Sequence, residues 1–258
     1  MARVLVTGSA DGLGLMAGKL LVEGGHAVTL HARNEERAAH TWREVPQAED
    51  VLVGDFAALS AARAVAARAD ASGRFDAVIH NAGVGYRWRE RRTTVDGLSE
   101  VFAVNVLAPY LLTALMERPR RLVWVSSGMH RSARGDMSDL QWERRRWDGN
   151  GPYAESKLWD VVLAFAIARR WPDVRSNALE PGWVATRMGG PGAPDDLKLG
   201  AVTQVWLATS DDPAATGTGG YFFHQRPASV AAAASDPELQ DGLLAACAAL
   251  TGVTLPAA

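Results

Sequence analysis

The chain has 258 residues, 48% of them hydrophobic, and a formal net charge of −2 at pH 7. That apolar share supports a sizeable core, and the near-neutral balance supplies no global field for nucleic acid or an acidic membrane surface. Cys247 is the only cysteine, which excludes a disulfide framework or a thiolate metal cluster within one chain. No metal site is expected.

Met1-Ala2-Arg3 runs straight into an apolar strand and a Gly-rich turn, so no separate cleavable signal is expected. The longest candidate for a membrane span, Val101–Met116, is interrupted by Asn105, Pro109, Tyr110 and Thr113. It is too short and too polar to cross a bilayer and reads as a buried helix. A cytoplasmic protein is expected.

Short apolar runs then alternate with helical patterns. In chain order they are strand Val4–Thr7, helix Leu13–Glu23, strand Val28–His31, helix Glu35–Trp42, strand Val51–Val53 and helix Leu59–Ala69. Strand Ala77–His80, helix Gly97–Met116, strand Leu122–Val125, helix Tyr153–Arg170, strand Arg175–Leu179, helix Leu197–Ala208 and strand Tyr221–Phe223 follow. Apolar runs without polar alternation suit strands covered on both faces. The alternation predicts an α/β fold with a doubly wound parallel β-sheet and helices on both faces, a Rossmann fold. No internal repeat or long linker appears, so residues 1–258 are expected to form a single domain.

The rhythm breaks at 128–151, a polar, Arg-rich and Trp-containing stretch, and at 181–196, rich in Gly and Pro. Long loops above a rigid sheet are where function concentrates. The second reads as a substrate-side loop; the first is either that or a surface insertion.

The first strand enters Thr7-Gly8-Ser9-Ala10-Asp11-Gly12-Leu13-Gly14, and a helix follows. Small residues let the backbone approach a pyrophosphate, and the helix N-terminus supplies N–H donors and a positive dipole end. After the second strand stand Arg33 and Asn34, with no carboxylate on the strand tip. A guanidinium there suits the 2′-phosphate of NADP. Glu35 and Glu36 read as first-turn acids facing the helix dipole, so NADP(H) is expected over NAD(H).

Tyr153 and Lys157 stand four apart on one helix face. An ammonium beside a phenol lowers its pKa from about 10 toward working pH, which suits Tyr153 to general acid–base work. By itself this spacing also arises by chance.

Together these residues resemble the short-chain dehydrogenase/reductase family along nearly the whole chain. TGSADGLG is similar to its cofactor turn, and Asp55 to the position beside the adenine. Asn81-Ala82-Gly83 resembles its N-A-G turn, with His80 where Asn is common. Asn105 matches the tetrad asparagine and Ser127, ending WVSS, the catalytic serine. Tyr153 and Lys157 match Y-x-x-x-K, and Pro181-Gly182-Trp183-Val184-Ala185-Thr186 matches P-G-x-V-x-T. The length of 128–151, the HARN segment and Gly220-Tyr221-Phe222 resemble the retinol-dehydrogenase-like branch.

The resemblance implies an oxidoreductase that interconverts a carbonyl and an alcohol by hydride transfer. In it Tyr153 is general acid/base, Ser127 orients the substrate oxygen and Lys157 binds the nicotinamide ribose while tuning Tyr153. Asn105 holds a water that links Lys157 to solvent. Cofactor contacts are implied for Gly8, Asp11, Gly12, Leu13, Gly14, Arg33, Asn34, Asp55, Phe56, Asn81, Ala82, Gly83, Tyr153, Lys157, Pro181, Gly182, Val184 and Thr186. The helices bearing Asn105 and Tyr153 commonly form subunit interfaces in this family, so a homodimer or homotetramer is a candidate assembly.

An enone reductase on the same site and a catalytically silent NADP(H)-sensing protein are the alternatives. Retention of Asn105, Ser127, Tyr153 and Lys157 argues against the second. Met129, Trp183 and Met188 are candidates for the substrate pocket, though core packing explains them almost as well. Tyr86–Arg92 and Glu143–Trp147 read as solvated loop edges, and His130 as a surface loop histidine. The substrate is a small carbonyl or alcohol of unspecified identity, since loop geometry rather than motif sets it.

Overall fold

The computed structural model describes residues 1–257; Ala258 lies outside the described residues. Strands β1 (Arg3–Val6), β2 (Ala27–Ala32), β3 (Asp50–Val53), β4 (Ala77–His80), β5 (Arg121–Val125), β6 (Arg175–Glu180), β7 (Tyr221–Phe223) and β8 (Arg226–Pro227) form one sheet. Their order is β3-β2-β1-β4-β5-β6-β7-β8. Every pairing is parallel except β7 with β8. The order reverses between β1 and β4, and a ligand crevice belongs beyond the strand ends there.

Side chains on alternate strand positions feed two cores. Val78, Leu122 and Trp124 face one, with α3 (Leu59–Ala71), α5 (Ala108–Leu115) and α6 (Gly151–Arg170). Ala77, Ile79, Val123 and Val125 face the other, which also takes in α1 (Gly12–Glu23), α2 (Glu35–Glu44) and α7 (Leu197–Thr209).

The helix expected over Gly97–Met116 is composite. Glu100–Phe102 is α4, Ala103–Leu107 forms a π-helical turn, and α5 continues from it. A further helix, α8 (Pro237–Thr251), has no counterpart among the predicted elements. Asp236 caps it, Pro237 sits in its first turn and Gly252 stops it in the left-handed region, which satisfies orphan groups at both ends.

This helix changes the expectation for assembly. Leu243 and Cys247 of α8 are fully buried and share a core with Leu158, Val162 and Ile167 of α6. The tail crosses α5, where Tyr110 donates to the Val253 carbonyl at 2.7 Å. The apolar faces expected to meet another subunit are therefore covered within one chain, and they no longer argue for a homo-oligomer. Among the described residues, no helix is long and apolar enough to cross a membrane.

Histidines are buried throughout this framework. Burial pushes His31 down to about 4 and His80 down to about 3, and lowers His130 as well. The unfolded chain takes up protons near pH 6.5 and the native state does not, so stability falls as pH drops below 6.5. Asp160, pushed up to about 6, and Glu100, also raised by burial, work in the opposite sense, as two groups against the three histidines. Each histidine is worth roughly 1 kcal/mol per pH unit. The urea midpoint should therefore fall from pH 7.5 to 5.5; an unchanged midpoint would mean that these rings are charged in the fold.

Candidate active site

A cleft of about 850 Å³ opens beyond the carboxyl ends of the parallel strands, within the range that small-molecule sites occupy. One end is the turn from β1 into α1. Gly8 has φ +62°, and a Cβ there would sit 2.7 Å from the Ala82 Cα. At Gly14 a Cβ would lie 2.4 Å from Asn81 Nδ2. Glycine is required at both, one for its backbone and one for close approach. Asp11 makes no side-chain cap and the first turn of α1 holds no acid, so its N–H groups face the cleft without a protein anion, as a phosphate site needs. The residues present fit a dinucleotide.

Asn81 Nδ2 donates to the carbonyls of Thr7 and Gly8 at 2.9 and 3.1 Å, so Asn81 braces the turn. His31, absent from the predicted site, braces it from the other side. Its Nδ1 accepts from the Gly8 N–H at 3.0 Å, its Nε2 donates to the Gly54 carbonyl at 2.8 Å, and its ring stacks on Phe56 at 4.1 Å. Neutrality of the buried ring is what allows one nitrogen to accept and the other to donate.

Most of the expected cofactor residues line this cleft: Gly8, Asp11, Gly12, Leu13, Gly14, Arg33, Asp55, Phe56, Asn81, Ala82, Gly83, Pro181, Gly182, Val184 and Thr186. Asn34 does not line it. Its side chain accepts from the Arg37 N–H and caps α2. Arg37 lines the cleft instead and pairs with Asp11. An arginine one helical turn beyond a cap was the signal in the sequence.

At the other end stand Ser127, Tyr153 and Lys157. Ser127 caps a short 3-10 turn, Gly128–Ser132. Lys157 donates to the Val125 carbonyl at 2.9 Å and to Asp160 Oδ2 at 2.8 Å. Its Nζ is 5.8 Å from the Tyr153 ring centre. Burial raises the Tyr153 phenol's pKa, Lys157 lowers it, Asp160 raises it and Ser127 lowers it, and the net direction is upward. The ammonium alone would bring the phenol toward neutral pH, but burial outweighs it in the free protein.

Asn105 sits in the π-helical turn. Its Oδ1 accepts from the Val84 N–H at 2.8 Å, and its Nδ2 donates to the Val84 carbonyl at 3.0 Å and to Ser156 Oγ at 2.8 Å. It thus ties the loop after β4 to α6. A Cβ at Gly83 would meet Lys157 Nζ at 3.3 Å and Asn105 Oδ1 at 3.6 Å, so glycine there keeps the backbone close to both side chains.

Met129, Trp183 and Met188 all line the cleft, and Trp183 is 45% exposed. Tyr86 joins them, its ring 5.4 Å from that of Tyr153; the Tyr86–Arg92 run is therefore more than a solvated edge. His130 is not at the surface. It is fully buried, with Nδ1 2.8 Å from the Ser127 carbonyl and Nε2 accepting from the Ala231 N–H at 3.1 Å. It supports the turn that carries Ser127.

The long 128–151 loop contributes only Gly128, Met129 and Arg131 to the cleft. Its remainder anchors on Glu155, between Tyr153 and Lys157 in sequence. Arg145 gives Glu155 two bonds, 3.0 and 2.6 Å, and Trp142 Nε1 a third at 2.8 Å. Arg145 is thus no solvated edge. Arg145→Ala leaves a buried, unpaired carboxylate, at a cost of about 3 kcal/mol. A lower melting temperature, partly recovered by adding Glu155→Gln, is the expected result; no change would remove the anchoring role.

The family model described as short chain dehydrogenase matches residues 2–131. The chain belongs to the short-chain dehydrogenase/reductase family and is an oxidoreductase. A short-chain dehydrogenase of Penicillium rubens is 40% identical to it, over 100% of both chains. A Streptomyces protein provisionally named a daunorubicin C-13 ketoreductase is 35% identical over 97% of this chain and 93% of its own. The likeness extends to the retinol-dehydrogenase-like branch: human retinol dehydrogenase 13 is 29% identical over 98% of this chain and 85% of its own. A solved structure from Mycobacterium paratuberculosis superposes with a TM-score of 0.84 at 26% identity, covering 99% of this chain and 95% of that one.

Proposed function

We propose that residues 1–258 act as one unit, a cytoplasmic NADP(H)-dependent reductase that interconverts a small carbonyl and its alcohol. One observation carries the reading: Ser127, Tyr153 and Lys157 converge at one end of a cleft whose other end is the glycine turn with Arg33 and Arg37. The ketoreductase name of the Streptomyces relative supports the same chemistry.

When bound, the nicotinamide supplies or accepts the hydride. Ser127 donates a hydrogen bond to the substrate oxygen and holds it against the Tyr153 phenol. Tyr153 gives its proton to that oxygen during reduction and takes it back during oxidation. Lys157, with a third ammonium proton beyond those given to Val125 and Asp160, binds the ribose and stabilises the phenolate once it forms. A water held between Lys157 and Asn105 would return the proton to Tyr153 from solvent. Tyr86, Met129, Trp183 and Met188 form an apolar wall for the substrate.

At the adenosine end, Arg33 and Arg37 line the cleft while Glu35 and Glu36 do not. Arg33 has no carboxylate partner among the described residues and Arg37 is shared with Asp11, an arrangement that favours a 2′-phosphate beside Arg33. In calorimetry NADPH should bind more tightly than NADH, and the Arg33→Ala/Arg37→Ala double variant should lose at least about tenfold of that preference. Equal affinities in the wild type would overturn the cofactor assignment.

Tyr153→Phe removes the transferable proton but keeps the ring. Turnover with NADPH on a panel of ketones and aldehydes should fall by roughly 100-fold or more, with NADPH affinity within about twofold of wild type. Near-normal turnover would sink the catalytic assignment.

A further inference from the structure

The ammonium of Lys157 has a buried carboxylate behind it. Asp160, three residues further along α6, places Oδ2 2.8 Å from Lys157 Nζ, and both side chains are 5% exposed. Lys157 lines the cleft and Asp160 does not. No other bond to Asp160 competes with this one among the described residues.

A carboxylate at that distance alters what Lys157 can do to Tyr153. From the phenol an isolated ammonium is a monopole that favours the phenolate. An ammonium in contact with a buried carboxylate is a dipole, and most of its field at the phenol is cancelled. We infer that Asp160 is a positioning residue that holds Lys157 against β5 and offsets its charge, so that Tyr153 keeps its proton as the acid that carbonyl reduction requires. The inference rests on the reductase reading, but its central measurement does not need turnover. The directions agree: Asp160 pushes both Tyr153 and Lys157 upward.

The other groups around the trio leave this balance in place. Tyr86 faces Tyr153 from the loop after β4. His130, on the turn after β5, is buried and held neutral. Arg131 and Glu180, from that turn and the end of β6, pair with each other at 2.6 Å. Glu100, on α4, is raised by its own burial. The 232–235 turn packed on α6 carries no charge. On α8, Asp241 pairs with Arg169 and Arg170 at the far end of α6, and Glu238 is exposed in its first turn.

The test is a phenolate titration by near-ultraviolet absorbance on the cofactor-free full chain. Subtracting Tyr153→Phe from its parent isolates Tyr153 among the four tyrosines. Tyr110, pushed up to about 12, and Tyr221, pushed higher still, are common to both proteins and cancel in the difference. In an Asp160→Asn background, Lys157 acts unopposed and the Tyr153 titration should move down by about one pH unit or more. The descending limb of the kcat/KM profile for carbonyl reduction should move down with it. A titration that stays in place or rises, in a variant with native circular dichroism, would overturn the inference. Should Asp160→Asn not fold, Lys157→Met carries the test. Asp160 then takes up a proton, and Tyr153 should move by less than about half a unit; a rise of more than one unit would mean that Lys157 was never offset. A downward shift in Asp160→Asn without carbonyl turnover in any variant would retain the tuning and reject the reductase reading. Turnover with an unmoved titration would do the reverse.

Discussion

The end of the cleft that holds Ser127, Tyr153 and Lys157 depends on the carboxamide of Asn105. Two of its bonds close on the backbone of Val84 and the third reaches Ser156, so one side chain joins the loop after β4 to the helix that carries Tyr153 and Lys157. Losing the two bonds to Val84 would leave its N–H and C=O without these partners. The π-helical turn is part of the same arrangement. A wider turn interrupts the regular ladder between α4 and α5 at Asn105, a deviation that recurs at functional sites. An all-apolar helix over this stretch would pack the core equally well and leave the catalytic end untied.

A second constraint is electrostatic. Burial in a low dielectric favours pairing of charges near the cleft, and several are paired: Lys157 with Asp160, Arg145 with Glu155, Arg131 with Glu180 and Arg37 with Asp11. Arg33 lines the cleft and has no carboxylate partner among the described residues. Lys157–Asp160 and Arg131–Glu180 sit beside the proposed reacting groups, where a net charge would distort proton transfer, while Arg37–Asp11 sits at the glycine turn. Arg33 sits at the far end, where the proposed 2′-phosphate would meet it. Polarity along the cleft thus follows from which charges are matched.

Much of this was legible in the sequence. Period and turn chemistry are local, and the strands from Val4 to Phe223 fall within a residue or two of their expected bounds. Glycines at 8, 12 and 14 and the Tyr153–Lys157 spacing were visible for the same reason. Partners supplied from far along the chain were not. His31 could not be seen to hold Gly8 and Gly54, nor His130 to be buried under Ala231, because a histidine's tautomer and burial depend on what arrives around it. Asn34 was read as a ligand contact when its oxygen is spent on a helix cap. Arg37, one turn later, reaches the cleft. The α8 helix carried its signals, Asp236-Pro237 at one end and Gly252 at the other, but its alanine-rich middle lacks an apolar stripe strong enough to announce it.

The sequence by itself determined the doubly wound sheet, the glycine turn after β1 and the residue types of the proposed reacting group. Strand periodicity, small residues and helical spacing express themselves within a few neighbours. Only the tertiary structure decided how those groups are poised. It set Asp160 behind Lys157, closed Asn105 on Val84, tied the 128–151 loop to Glu155 and laid α8 over the face of α6. Each of these joins a side chain to a site made by folding, where distance and burial, which no spacing records, fix the strength of the interaction.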